Sequence, residues 1–171
     1  MGLIDKVFGR RAETDPKDLL KSVTEEFNAV LQHTDILKPS PKPWEKLLKD
    51  LSRLLATGLF VQHALYMRAR AHYYSGLYKQ AVADLDALLK GYPHSDSVNT
   101  AALPPERLRA MAKLKLGRFS EAQEDLRDEI ALLQDVLPQR SVCRSDDYYW
   151  LLVCKFKGDE KAAMDEQAKF F

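Results

Sequence analysis

Residues 69–81 read Ala69-Arg70-Ala71-His72-Tyr73-Tyr74-Ser75-Gly76-Leu77-Tyr78-Lys79-Gln80-Ala81, and the same skeleton returns as Ala110, Ala112, Lys113, Gly117, Phe119 and Ala122. A fainter third copy keeps Leu151, Cys154, Gly158 and Ala163. From Gly76 to Gly117 and from Gly117 to Gly158 is 41 residues each. An even period of this size means that one helix–turn–helix unit is used several times, because a lone helical pair cannot bury its apolar face and must cover it with a neighbour. Stacked helical pairs leave a groove, and grooves bind chains.

Working outward, Gly76 permits the tight turn within the first unit, and Ala69 and Ala81 sit where its two helices cross. Tyr78 is expected to plug the gap between neighbouring units. The first unit's helices are predicted over 60–75 and 77–89, with Pro93 as a stop, and the second unit's over 105–116 and 119–136, with Leu137-Pro138 after them. The third unit's helices are predicted over 146–156 and 159–170, with Asp146 and Asp147 suited to a helix N-terminus. Upstream, Asp15 reads as an N-cap and Pro16 as the first helical residue, with Leu19, Leu20, Val23, Phe27, Val30 and Leu31 at helical spacing. Ser40-Pro41-Lys42-Pro43 breaks the chain before a second amphipathic helix that runs from Trp44 to near Gly58. Strand signals are nearly absent. The expected fold is all-α: a covering helical pair within 1–58, then three helical pairs at 59–93, 103–137 and 145–171, in one compact domain.

Composition narrows the function classes. The 171 residues carry 26 Lys+Arg against 25 Asp+Glu, so no global basic field attracts nucleic acid. The apolar run from Leu51 to Leu65 is interrupted by Ser52, Arg53, Gln62 and His63, short of the roughly 20 residues that cross a bilayer. Cys143 and Cys154 are the only cysteines and read as reduced thiols of a cytosolic type of compartment. Residues 1–12 hold Leu3, Ile4, Val7 and Phe8 ahead of Arg10 and Arg11, which reads as a turn docked on the first helix or, less favoured, as a peripheral contact with anionic lipid.

Chemistry has little foothold. The four histidines, His33, His63, His72 and His94, offer no helical i, i+4 metal pair, and no phosphate-cradling glycine loop or activated-serine elbow occurs. No catalytic residue, metal or cofactor is expected, and the protein is read as no enzyme.

The first unit's Leu65, Ala69, Gly76, Tyr78, Ala81, Leu85 and Pro93 resemble the tetratricopeptide repeat family, with His72 in place of the usual aromatic. The second unit keeps Ala110, Gly117, Phe119, Ala122 and Leu126, and the third keeps Trp150, Gly158 and Ala163, with Glu160 in place of the turn aromatic. The resemblance implies a right-handed superhelix, an α-solenoid, whose first helices line a concave groove. It places groove positions at His63, Tyr66, Arg70, Tyr73 and Tyr74, at Pro104, Arg107, Met111, Leu114 and Lys115, and at Ser145, Tyr148, Leu152, Lys155 and Phe156. Of these, Tyr66, Arg70, Tyr73, Tyr74, Arg107, Met111, Lys115, Tyr148, Leu152 and Lys155 are the expected partner contacts. Tyrosine and arginine combine large contact area with polar handles, and Arg70, Arg107, Lys115 and Lys155 would form a positive floor.

The expected function is that of an adaptor or scaffold, holding an extended or helical segment of another protein, acidic or with a terminal carboxylate. The alternatives are a holder similar to the secretion chaperones, and self-assembly through Trp44, the Leu3–Phe8 cluster and Phe170-Phe171. A redox role for Cys143 or Cys154 is a third.

Overall fold

A computed structural model of the chain describes residues 15–35, 38–91, 103–136 and 144–168, with 129–136 and 144–149 described as backbone only. Among these residues there are eight α-helices, one short 3-10 turn at Lys42–Trp44 and no strand. The helices are α1 Pro16–Gln32, α2 Glu45–Ala56, α3 Val61–Tyr74, α4 Tyr78–Gly91, α5 Pro105–Lys115, α6 Phe119–Val136, α7 Arg144–Lys155 and α8 Glu160–Gln167. No helix among the described residues is long and apolar enough to cross a membrane.

Local chemistry sets the ends. The Asp15 carboxylate accepts from Lys17 N–H at 2.8 Å, with Pro16 in the first turn, where its missing N–H costs nothing. Asp159 caps α8 in the same way, accepting from Ala162 N–H at 2.9 Å. The α3–α4 and α5–α6 turns share one hydrogen-bonded cap. Leu77 N–H reaches the His72 carbonyl at 2.8 Å and Arg118 N–H reaches that of Lys113 at 2.9 Å, around Gly76 at φ +80° and Gly117 at φ +74°. In the third unit the cap shifts by one residue. Gly158 N–H takes the long bond, to the Val153 carbonyl at 2.8 Å, and Lys157 occupies the left-handed position at φ +52°.

Consecutive helices pack against each other along the whole described chain, and α3 also touches α1 and α5. Directions follow from the contacts. Thr24 meets Met67 and Phe27 lies under Arg70, so three steps along α1 match three along α3 and the two run parallel. Between them, α2 runs the other way, since Trp44 at its start stacks on Tyr74 and Ser52 further along meets Arg68.

The apolar core is a row of four clusters. Leu19, Val23, Phe27, Trp44, Leu47, Leu51 and Leu54 from the leading pair close over Ala64, Met67 and Ala71 of α3. The opposite side of α3, with Leu65, Tyr66, Ala69 and Tyr73, packs on Ala81, Val82, Leu85 and Leu88 of α4 and on Leu108 and Ala112 of α5. Ala110, Ala122, Leu126 and Cys154 join α5, α6 and α7, and Leu152, Val153 and Ala163 join α7 to α8. The first helices of the three hairpins, α3, α5 and α7, thus each serve two neighbouring clusters, and each fully buried Leu is worth about 1.5–3 kcal/mol over its exposed state. Ala69, Ala81, Ala110 and Ala122 are all fully buried, as close helix crossing requires.

One expectation changes here. Trp44, read as a contact between copies, is fully buried against Phe27 and Tyr74, because the 3-10 turn before α2 folds it inward. Tyr78, read as a plug between units, is half-buried against the cluster shared by α3, α4 and α5 and meets Tyr73 edge-on at 5.6 Å; its counterpart Phe119 approaches the third unit, its ring about 3.1 Å from where a Cβ on Gly158 would stand. The Leu3–Phe8 cluster, Pro93, Leu137-Pro138, Cys143 and Phe170-Phe171 lie outside the described residues.

Candidate functional site

A buried carboxylate holds each of the first two hairpins in register. Arg68 of α3 donates Nε and Nη2 to the two oxygens of Asp84 on α4, the first at 3.0 Å, and His72 Nδ1 stands 2.9 Å from Asp84 Oδ2. Arg109 of α5 donates Nε and Nη2 to Asp125 on α6 at 3.1 and 2.8 Å, and Lys113 Nζ reaches Asp125 Oδ2 at 2.7 Å. Each arginine also reaches the preceding hairpin, Arg68 to Ser52 at 3.3 Å and Arg109 to Asp86 at 2.9 Å. Burial alone would raise the Asp84 carboxyl, but the bonds from His72 and Arg68 outweigh it and hold its pKa below the usual range. His72, expected to replace a packing aromatic, is therefore part of an ion cluster, since the buried carboxylate opposite it needs a donor. The third unit has Trp150, Cys154 and Glu166 at the three equivalent positions and packs apolar surface instead.

With the hairpins so fixed, three of them converge on one cleft of about 230 Å³. It is lined by Tyr73 of α3, by Met111, Leu114 and Lys115 of α5, by Trp150 and Val153 of α7, and by Gly158 and Glu160 at the start of α8. Five of these eight residues are apolar or aromatic. Lys115 and Glu160 are both exposed and bring opposite charges to the mouth. Burial pushes the Tyr73 hydroxyl up to about 12, with Tyr78, Tyr74 and Glu160 adding to the effect, so it stays protonated at neutral pH, able to donate and accept.

Three of the ten expected contact residues, Tyr73, Met111 and Lys115, meet in this cleft. Tyr66 is instead buried in the core, its hydroxyl donating to the Leu103 carbonyl. The Arg70 guanidinium lies 4.6 Å from the Phe27 ring centroid and 5.6 Å from that of Tyr66, and its shielded Nε finds no acceptor among the described residues. Tyr74 stacks on Trp44 at 5.8 Å. Arg107 is half-buried near the start of α5, and Leu152 is buried between α7 and α8. Tyr148 lies on α7, but its side chain is outside the described residues. Lys155 reaches Glu166 at 3.7 Å and lines a separate, more open depression of about 500 Å³ with Arg118, Glu121, Cys154 and Lys157. Arg118 there is paired with Glu121. The four cations expected to form a positive floor therefore do not gather at one place.

Trp150, Val153, Gly158 and Glu160 are the cleft residues that lie outside the expected groove positions. A signal existed for Trp150 and Glu160. Trp150 stands where the other units have a clamping arginine, and Glu160 where they have the turn aromatic.

Cys154 is a buried free thiol, pushed up to about 11 by burial, a setting that opposes reactivity. Among the described residues no group of three or more His, Cys, Asp or Glu side chains is placed to hold a metal ion. Comparison of the chain with family models, with curated proteins and with solved structures gives no match.

Proposed function

We propose that the chain is a non-enzymatic adaptor: a tetratricopeptide-like, right-handed array of helical hairpins whose inner cleft reversibly holds a segment of another protein. The observation that carries this reading is that first helices of three successive hairpins, through Tyr73, Met111 and Trp150, contribute to a single cleft. Repeated caps at Gly76 and Gly117, repeated clamps at Asp84 and Asp125, and the row of clusters shared between neighbours support the array. On this reading the place of work is a reducing compartment, in keeping with the free thiol of Cys154.

The test is selection from a random linear peptide library displayed on phage, using the full chain and its Met111→Glu variant in parallel. Peptides that bind the parent and are lost by Met111→Glu, at unchanged helicity, support the adaptor. Absence of any peptide whose binding depends on Met111 contradicts it.

A further inference from the structure

We propose that the cleft is an anchor pocket for one large apolar side chain of a bound peptide, and that Lys115 and Glu160 meet the backbone of that residue. This rests on the adaptor reading and names the chemistry of its partner.

Water leaves the floor of the cleft at a gain. Met111, Leu114 and Val153 and the rings of Tyr73 and Trp150 are five of the eight lining residues, and apolar surface of this kind rewards an apolar guest. The space of about 230 Å³ equals that of roughly seven or eight liquid waters at about 30 Å³ each, the room of one large side chain. Met111 is unbranched and half-exposed, which lets the wall adapt to Phe, Leu or Met.

The mouth selects against net charge. An acidic guest would be drawn to Lys115 and repelled by Glu160, and a basic guest would meet the reverse. A peptide group carries one N–H and one C=O, so it satisfies the carboxylate and the ammonium together without adding charge. Two cations that would have favoured an acidic partner are occupied elsewhere, Arg70 on the rings of Phe27 and Tyr66, and Lys155 on Glu166 and the Phe156 ring.

The experiment is nuclear magnetic resonance of the full chain with labelled Met, Leu and Val methyls, titrated separately with the N-acetyl amides of phenylalanine, aspartate and lysine. The phenylalanine amide is expected to shift the Met111, Leu114 and Val153 methyls with a Kd on the order of 1 mM, and the two charged amides at least tenfold more weakly. In Met111→Trp, where the indole fills the cleft, the Leu114 and Val153 shifts should fall at least tenfold; Leu114→Phe gives the same readout on Met111 if that variant does not fold. Shifts from the aspartate or lysine amide as large as those from phenylalanine, or phenylalanine shifts indifferent to the filled cleft, overturn the anchor. Displayed peptides that need Met111 but carry Asp or Glu at the anchor position also overturn it, while leaving the adaptor reading standing.

Discussion

Arg68 and Arg109 do the same work 41 residues apart: each donates Nε and Nη2 to the two oxygens of a buried aspartate, Asp84 or Asp125, and turns Nη1 to the hairpin before it. One side chain thereby ties three consecutive helices, α2, α3 and α4 in the first case and α4, α5 and α6 in the second. Buried ion pairs contribute little net stability against an apolar alternative, because desolvation offsets attraction. Their consequence here is register: a hairpin shifted by one turn would bury a carboxylate without its guanidinium.

Removing one member of the second cluster should therefore cost more than removing all of it. Asp125 is 5% exposed and Lys113 9%, so Asp125→Ala leaves two cations with no buried acceptor and is expected to destabilise by about 3–5 kcal/mol. The triple replacement Arg109→Met, Lys113→Met, Asp125→Leu should come within about 1–2 kcal/mol of the parent. Urea denaturation of the three proteins decides between this ordering and a simple sum of losses.

Asp84 gives the stability an acid limb. Its folded pKa lies below the ordinary 3.8 of an aspartate, so its contribution is fully present above that value and is lost as pH falls through the lower folded one. Stability followed downward from pH 5 should show this decline, and Asp84→Asn should be less stable at neutral pH but flatter with acid. A parallel decline in the variant would remove Asp84 as the cause.

Tyr73 and Cys154 act at the opposite end. The tyrosine pKa is raised from 10.0 to about 12, so its contribution is complete below 10 and disappears as pH rises through 12. Tyr73→Phe should abolish that part of the alkaline loss in a comparison of unfolding free energies across this range. The Cys154 thiol, at about 11 and buried, should resist iodoacetamide in the native protein and react readily once unfolded, a difference read cleanly in a Cys143→Ser background.

The turns differ in what they tolerate. Gly117 at φ +74° has open space around a would-be Cβ, so Gly117→Ala should cost only the left-handed backbone penalty of about 1–2 kcal/mol. At Gly158, at φ +89°, the new methyl would also meet the Phe119 ring at about 3.1 Å, and the cost should be larger. Lys157→Gly should gain about 0.5 kcal/mol, because relief of φ +52° exceeds the added freedom of the unfolded chain. Thermal midpoints of the three variants give the order directly.

The repeat in Gly76, Gly117 and Gly158 made the helical hairpins legible, because left-handed caps and fully buried alanines are backbone demands that residue type records. Helix ends fell within two or three residues of those seen. The site was legible only in part. Offsets along one helix told which residues share a face, but not that α1 lies beneath Arg70, that Leu103 would take the Tyr66 hydroxyl, or that the turn before α8 would bring Glu160 to Tyr73. Those depend on how hairpins sit against each other. The Arg–Asp clusters were open to a reader of the 41-residue period, since Arg68 and Arg109, and Asp84 and Asp125, stand one period apart, with Trp150 and Glu166 at those places in the third unit.

Photocrosslinking asks whether three hairpins share one cleft that receives a visiting chain. A benzophenone side chain placed at Lys115, and separately at the exposed Arg53 of α2 and the exposed Lys161 of α8, is illuminated with a peptide selected by display. A peptide seated in the cleft gives a crosslinked product at position 115 that unlabelled peptide competes away, and little at 53 or 161. Equal yields at all three positions, or capture at 53 with none at 115, would contradict that seating.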